Sequence, residues 1–532
     1  MLKMCLCVFL FIVSIGAVLQ YIKDPTMHIW FESAKRGGVA TGCELRYAEA
    51  NNPFLRDFDP RKLTTYLMAF DINNLYGAAL STYLPVGGFK WMMNTEDWHH
   101  MMTNPVAWIM SQNDEQDIGY HLEVDLSFPE RIHDKLKGLT PVPHKRKIDW
   151  NELSPLQKDT AEKLGITQTI LNTPRLMTDL YPRKNYVVNY RVLKFYLSIG
   201  VKLDRIHRGV SYRQEPVIRT YIDKLTQNRK EADTVNNKFA VNMWKLAVNS
   251  VYGKSVESVR NRGRFIVCRD KEKAMRYTRK PTFQEVIMLE DCEVALLRVS
   301  KLSVVLDKPL YLGITVLDEA KRLLYDWYYN VALPMWGNKI TTIATDTDSV
   351  YCLIETENIY EDMEKQKEKY DRNDYNPKCP VFGKYHDPTN HKKLGVMKDE
   401  NAGMVMKNMA FLKPKMYYST TEGAVGTKQE GQIGSVKKAK GLPKIALANC
   451  TFDTYQQQLL DPIPESVKYM QITSDKHDVY TTLMFKKAPN SFDVKRYVKE
   501  DGITTLPYGH KDIPVKYTYN PPDELPNALC ST

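Results

Sequence analysis

Residues 339–354 constrain this chain more than any other stretch. Lys339-Ile-Thr-Thr-Ile-Ala-Thr345 and Ser349-Val-Tyr-Cys-Leu-Ile354 are both β-branched, apolar runs, and Asp346-Thr-Asp348 stands between them. Two such runs flanking a short polar turn read as an antiparallel hairpin with carboxylates at its tip. Asp, Thr and Ser also form ordinary solvated turns, so the tetrapeptide alone leaves both readings open. The apolar arms favour a rigid, buried hairpin, and such a tip can hold a hard cation. Mg²⁺ takes oxygen ligands and keeps waters or substrate phosphates in its shell.

Three further segments carry chemistry. Tyr66-Leu-Met-Ala-Phe-Asp71 reads as a buried strand ending at an acid, and Ile72-Asn-Asn-Leu-Tyr-Gly77 follows it. That acid would meet the hairpin across a sheet, as two-metal phosphoryl transfer requires of carboxylates on separate strands. The stretch from about Glu231 to Gly253 reads as one long helix, with Phe239, Met243 and Leu246 on one face and Gly253 as terminator. Lys238, Lys245, Asn249, Tyr252 and Gly253 fall on another stripe of that helix, which suits a triphosphate and its sugar. Phe411-Leu-Lys-Pro-Lys-Met-Tyr-Tyr418 alternates cations and rings. It fits a nucleic-acid backbone or an edge strand guarded by Lys.

Bulk properties agree without deciding. The 532 residues allow two to four lobes. Strand-like and helix-like patterns alternate, giving an α+β expectation. The formal net charge of +11 is compatible with a phosphate-rich partner. The most basic stretch, Lys413 to Lys444, holds seven Lys against Glu422 and Glu430. Nine scattered Cys form no CxxC pair, which argues against zinc and for a reducing compartment. Met1 to Gln20 is nearly all apolar: it reads as a signal peptide, a short anchor, or the accidental start of a truncated gene. A membrane partner is not expected, and an intracellular site (the nucleus or a viral replication site) is favoured.

In their order and spacing these segments resemble family B DNA polymerases. Asp71-Ile-Asn-Asn-Leu-Tyr76 resembles motif A; Lys245-Leu-Ala-Val-Asn-Ser-Val-Tyr-Gly253 matches motif B at every specified residue; Asp346-Thr-Asp-Ser349 matches motif C; and Lys415-Met-Tyr417 resembles the Lys-x-Tyr motif. Arg36-Gly-Gly38 resembles the element that joins exonuclease and polymerase domains in the protein-primed branch, which phages, adenoviruses, linear plasmids and self-synthesising transposons carry. Ala50-Asn-Asn52, Lys308-Pro-Leu-Tyr311, Val316-Leu-Asp318, Asp501-Gly-Ile503 and Tyr508-Gly-His510 add to the likeness, which spans residues 27 to 512. Asn74 and Gly77 stand where the family usually has Ser and Pro, and Ala344 where it usually has Tyr.

The resemblance implies a right-hand fold with an antiparallel palm sheet, fingers and thumb, the exonuclease domain being absent or vestigial. It divides the chain into an N-terminal apolar segment at 1–26, a remnant linker at 27–65, palm at 66–130, a priming-protein-type insertion at 131–220, fingers at 221–260, a second insertion at 261–305, palm at 306–420, and thumb with tail at 421–532. Asp71 and Asp348 would hold two Mg²⁺ ions, with Mn²⁺ as a substitute and Asp346 beside them. Lys245 would act on the triphosphate. Ile72, Leu75, Tyr76, Lys238, Asn249, Tyr252 and Gly253 would bind the incoming nucleotide, with Tyr76 rejecting a ribose 2′-OH. Arg36, Gly37, Gly38, Ser349, Lys413, Lys415 and Tyr417 would contact DNA. The implied activity is DNA-directed DNA synthesis from a primer-template and dNTPs, protein-primed and without proofreading, with a terminal priming protein as a further partner. The rival reading is a decayed or domesticated remnant that binds DNA without synthesis. A reverse transcriptase would show paired adjacent acids and lack motif B.

Overall fold

A computed structural model describes residue 16 and residues 18–518, apart from 261–263, 290–293, 441, 444–446, 449, 465, 476–477 and 488. The apolar N-terminal run lies almost entirely outside these residues. Among the described residues no helix is long and apolar enough to cross a membrane.

The Thr65–Ile72 strand organises the molecule. Its side chains alternate between two covered faces. Tyr66, Met68, Phe70 and Ile72 enter the main core, while Leu67 and Ala69 join a smaller cluster with Ile343, Ala344, Met406, Phe411 and Tyr417. A strand buried on both sides reads as an unbroken apolar run, as this sequence does. It sits within a ten-stranded sheet. The path runs Ala40–Gly42, Ile340–Asp346, Ser349–Glu355, Thr65–Ile72, Met404–Lys413, Met416–Gly423 and Ile433–Ala439. Neighbours along this path are antiparallel; the parallel pair among the described strands is Tyr370–Asp371 with Met397–Asp399. The expected hairpin is therefore present, with Ile340–Asp346 and Ser349–Glu355 as its arms.

Against the core lies the Leu310–Trp327 helix, apolar in its first half and buried for most of its length, with Asp318, Glu319 and Lys321 buried in its second half. Phe70 meets Trp327 with ring centroids 5.2 Å apart. Burying each such ring contributes about 1.5–3 kcal/mol. The motif-like Tyr311 and Asp318 belong to this helix and are buried. Tyr311 donates its hydroxyl to the Gln20 carbonyl at 2.8 Å, and Asp318 lies 3.6 Å from the Lys321 ammonium.

The long helix expected from Glu231 to Gly253 is two helices, Arg219–Thr234 and Lys238–Ser255. Asn236 takes a left-handed conformation (φ 53°) and Asn237 caps the second helix on the Ala240 N–H, so the Asn pair breaks the run. Gly253 does not terminate the helix but lies within it. The face assigned to Phe239, Met243 and Leu246 is not a core face. Phe239 is 79% and Leu246 54% exposed; Ala247, Val248, Val251 and Ser255 are the buried residues.

Two expected boundaries cut through single sheets. Ile118–Ser127 pairs with Arg183–Asn189 and Lys202–Glu215, so residues on both sides of 130 share one four-stranded sheet. Met416–Gly423 and Ile433–Ala439 extend the ten-stranded sheet across residue 420. Residues 492–513 also leave the expected thumb: Phe492, Val494, Tyr497, Leu506, Tyr508 and Ile513 form a core with residues of 148–177.

Candidate active site

The sheet register brings the two key acids together. Ser349 is paired with Asp71 across adjacent strands, and the Ile72 N–H donates to the Asp348 carbonyl at 2.8 Å. At the tip Thr347 adopts φ 77°, and its N–H donates to the Val39 carbonyl at 2.7 Å. A Cβ on Gly38 would lie 2.6 Å from Thr347 Cγ2, so the tip can seat there only against glycine. Gly37 has open space around it. The Arg-Gly-Gly element thus acts by backbone fit. Its arginine is not a DNA contact as expected: Arg36 is buried, lies 3.8 Å over the Tyr186 ring and donates to the Val187 carbonyl.

Electrostatics single out Asp71. Burial pushes its carboxyl up, the neighbouring Asp348 and Glu400 push it further, and Lys245 and Lys398 oppose; the result is a pKa of about 8. Asp348 is also raised, chiefly by burial. Asp346 differs. Its carboxylate is ion-paired with the Lys415 ammonium, and it still acts electrostatically on Asp348. The described residues offer one set of three mutually close metal-type ligands, Asp134, His510 and Asp512, far from this pair in sequence. Lys511 already bridges those two carboxylates, at 3.0 and 3.3 Å.

On the helical side, Tyr76 and Tyr252 stack face to face, 4.0 Å apart and inclined by 11°. Tyr76 lies on the short Leu75–Leu80 helix, whose cap residue Asn74 is left-handed at φ 46° and makes no side-chain capping bond. A Cβ on residue 77 would lie 2.4 Å from the Asn74 side chain. The two departures from motif A therefore belong together: Asn supplies the left-handed turn, and Gly leaves room for its amide. Lys245 is exposed, has no ion-pair or hydrogen-bond partner among the described residues, and acts electrostatically on both Asp71 and Asp348.

Other expected residues divide. Asn249 lies partly buried one turn before Tyr252. Lys238 is exposed at the start of the same helix, and Gly253 faces open space. Ile72 and Leu75 are core residues, and the Ile72 N–H is already used. Ser349 is buried beside Asp71. Tyr417 is buried, its hydroxyl 3.1 Å from that of Tyr351. Lys413 donates to Asn490 Oδ1 at 2.7 Å, and burial lowers its pKa to about 8.

Three site residues gave no signal in the sequence. Lys398 is paired with Asp71 across the Met397–Asp399 strand, and the Glu400 N–H donates to the Ala69 carbonyl at 2.9 Å. Arg229, on the first helix of the pair, acts on Asp71, and its Nε is buried without a partner. Their proximity is set by long-range strand pairing and helix docking, which no local spacing records.

No protein-family model matches the chain, and no curated protein does. Solved structures do. Phi29 DNA polymerase in an orthorhombic crystal form superposes with a TM-score of 0.51 at 15% identity, over 91% of this chain and 66% of that one. The same polymerase complexed with primer-template DNA, as the post-translocation binary complex, gives 0.50 at 15% identity over 91% and 66%. Its ternary complex with primer-template DNA and incoming nucleotide substrates gives 0.50 at 15% over 89% and 64%. The chain spans about two thirds of the length of these structures. The likeness establishes a DNA-polymerase-like fold of mixed helix and antiparallel sheet.

Proposed function

We propose that this chain is a DNA-directed DNA polymerase that extends a primer 3′-OH with deoxynucleotides. The observation that carries the proposal is the juxtaposition of Asp71, on its strand, with Asp348, in the turn that leads into the adjacent strand, with both carboxyls raised and, among the described residues, no neutralising ion pair on either. Two like charges held together in a partly dry site need a cation, and an all-oxygen donor set fits Mg²⁺ or Mn²⁺. Asp71 and Asp348 would hold the ions, with Glu400 beside them. When bound, such a pair would lower the pKa of the primer hydroxyl and stabilise the departing pyrophosphate.

The remaining chemistry is positioning and charge. Lys245, unpaired among the described residues and acting on both acids, would neutralise the triphosphate, and Arg229 approaches from the neighbouring helix. The Tyr76–Tyr252 stack would part to admit a nucleotide, leaving Tyr76 against the sugar, where a 2′-OH would collide. Asp346 would hold Lys415 beside the primer end. Sequence choice would come from base pairing, and protein contacts from backbone charge and shape. In the palm, fingers and thumb arrangement this reading implies, the sheet is the palm and the Arg219–Ser255 helix pair the fingers. A terminal priming protein would dock on residues 131–220.

Primer extension by the purified chain tests the proposal, with Asp348→Ala as control. Metal-dependent extension by the parent and none by the variant is expected. A parent that binds primer-template yet never extends it, with Mg²⁺ or Mn²⁺, would instead indicate a binding-only remnant.

A further inference from the structure

A second cluster of charge lies on the far side of Asp346 from Asp71. Ala40 pairs with Asp346 on the outer strand of the sheet, and the Ala40 carbonyl accepts the Lys495 ammonium at 2.8 Å. Asp346 itself holds Lys415. Lys413 stands at the other end of the same turn, where it pairs with Met416. Arg175 comes from the 131–220 region and acts electrostatically on both Lys413 and Lys495. Four cations from three distant segments thus meet at one place.

Their charge is poorly matched. Lys413 is satisfied by a neutral amide oxygen and Lys495 by a neutral carbonyl. Arg175 Nη2 donates to the Ile170 carbonyl at 2.9 Å, and its Nε is buried without a partner. The carboxylates acting on the group are Asp346, taken by Lys415, and Asp493, which also serves the buried Arg46. Holding several cations together with so few anions is unfavourable unless a ligand supplies negative charge. The four are partly exposed, so a ligand can reach them.

We infer that Arg175, Lys413 and Lys495, with Lys415, form a seat for a backbone phosphodiester of the primer strand, close to its 3′ end. A phosphodiester offers two anionic oxygens to ammonium and guanidinium donors. The position chooses between phosphates. The incoming triphosphate belongs with Lys245 and the tyrosine pair, whereas this seat lies across the hairpin from them. The inference rests on the polymerase reading and extends its DNA contacts to two segments, 175 and 495, that no motif marks.

The test is anisotropy of a labelled primer-template with the full chain, across a salt series, for the parent, Lys495→Gln, Arg175→Gln and Lys495→Arg. Each Gln variant is expected to bind about tenfold more weakly at low salt, with a salt slope shallower by about 0.9 for each phosphate that is no longer neutralised. Lys495→Arg should keep most of the affinity, and the dNTP KM of the Gln variants should stay at the parent value. Primers carrying one neutral methylphosphonate, placed in turn at each of the last three linkages, should include one that weakens the parent but not Lys495→Gln. Parental affinity and slope in both Gln variants, with unchanged melting, overturns the seat. So does a methylphosphonate effect equal in parent and variant at all three linkages. A raised dNTP KM with unchanged primer binding overturns it in favour of a triphosphate contact. A parent that shows the Lys495-dependent binding but no extension keeps the seat and rejects the polymerase reading; a parent that extends while its Gln variants bind normally does the reverse.

Discussion

Replacing Asp71 with Asn should stabilise the metal-free protein while abolishing synthesis. The Asp71 carboxyl is raised from 3.8 to about 8 by burial and by Asp348 and Glu400. In the folded state it therefore holds a proton that the unfolded chain has released. Wherever the native state binds more protons, stability falls as pH rises. The contribution is present below the ordinary carboxylate pKa, lost progressively as pH rises toward about 8, and flat above that. One extra proton gives a slope of at most about 1.4 kcal/mol per pH unit, hence a ceiling of about 2.7 kcal/mol between pH 6 and 8. Solvent reaching the partly exposed side chain reduces this, so about half is a realistic figure. Asn cannot ionise, and its stability should not follow this course. The assay is denaturant melting in EDTA at pH 6, 7, 8 and 9. The difference between Asp71→Asn and parent should grow in favour of the variant up to pH 8 and then level. Adding Mn²⁺ should reverse the order by stabilising only the parent. A variant that is less stable than the parent at every pH in EDTA, or a difference that does not move with pH, would refute the argument.

Three other substitutions probe separate parts of the structure. Gly38→Ala forces a Cβ against Thr347 and should cost about 1–3 kcal/mol of local packing and depress extension, Thr347→Ala restoring it and Gly37→Ala being neutral; equal effects at 37 and 38 would contradict the close approach. Asp179→Ala should cost about 3–5 kcal/mol in denaturant melting, because Asp179 is fully buried against Arg183 and Arg146, both at 2.7 Å, and its removal strands the buried Arg183 charge. Tyr76→Val should raise incorporation of ribonucleotides relative to deoxynucleotides in a competition assay; an unchanged ratio removes Tyr76 from sugar selection.

What the sequence disclosed follows from which interactions are local. The hairpin at 340–355 was legible because both arms are continuous apolar runs and the acids stand at a turn between them. The meeting of that hairpin with the strand that ends at Asp71 was legible from the acid closing a second apolar run, whereas the register that sets Ser349 against Asp71 was not. The break at Asn236-Asn237 was written in two residues that favour turns, but the periodicity of Phe239, Met243 and Leu246 outweighed it. Periodicity defines a stripe and cannot say whether anything covers it. The Arg-Gly-Gly element shows the opposite failure. The resemblance implied a DNA contact at Arg36, yet its side chain is spent on Tyr186 and a carbonyl inside the protein. Lys398, Glu400 and Arg229 were invisible, since only the folded sheet brings them near Asp71.

The departures from the family pattern follow a physical rule. The spacing of Asp71 from Asp348 is fixed by backbone pairing of Ser349 with Asp71 and by the Ile72 to Asp348 hydrogen bond, neither of which needs a particular neighbouring side chain. Residues around the acids are then tied to one another by contact more than to the acids themselves. Asn74 and Gly77 are one such pair, because the amide of one occupies the volume that any side chain on the other would take. Tyr351 offers a second case. Ala344 leaves the usual tyrosine position empty of a ring, while Tyr351, directly opposite it on the partner strand, points its hydroxyl at Tyr417. An aromatic contact to Tyr417 is thus supplied from the other arm of the hairpin. If this exchange is what keeps the tip in place, then Tyr351→Ala should impair extension as much as Tyr417→Ala does, and the double variant should be little worse than either alone.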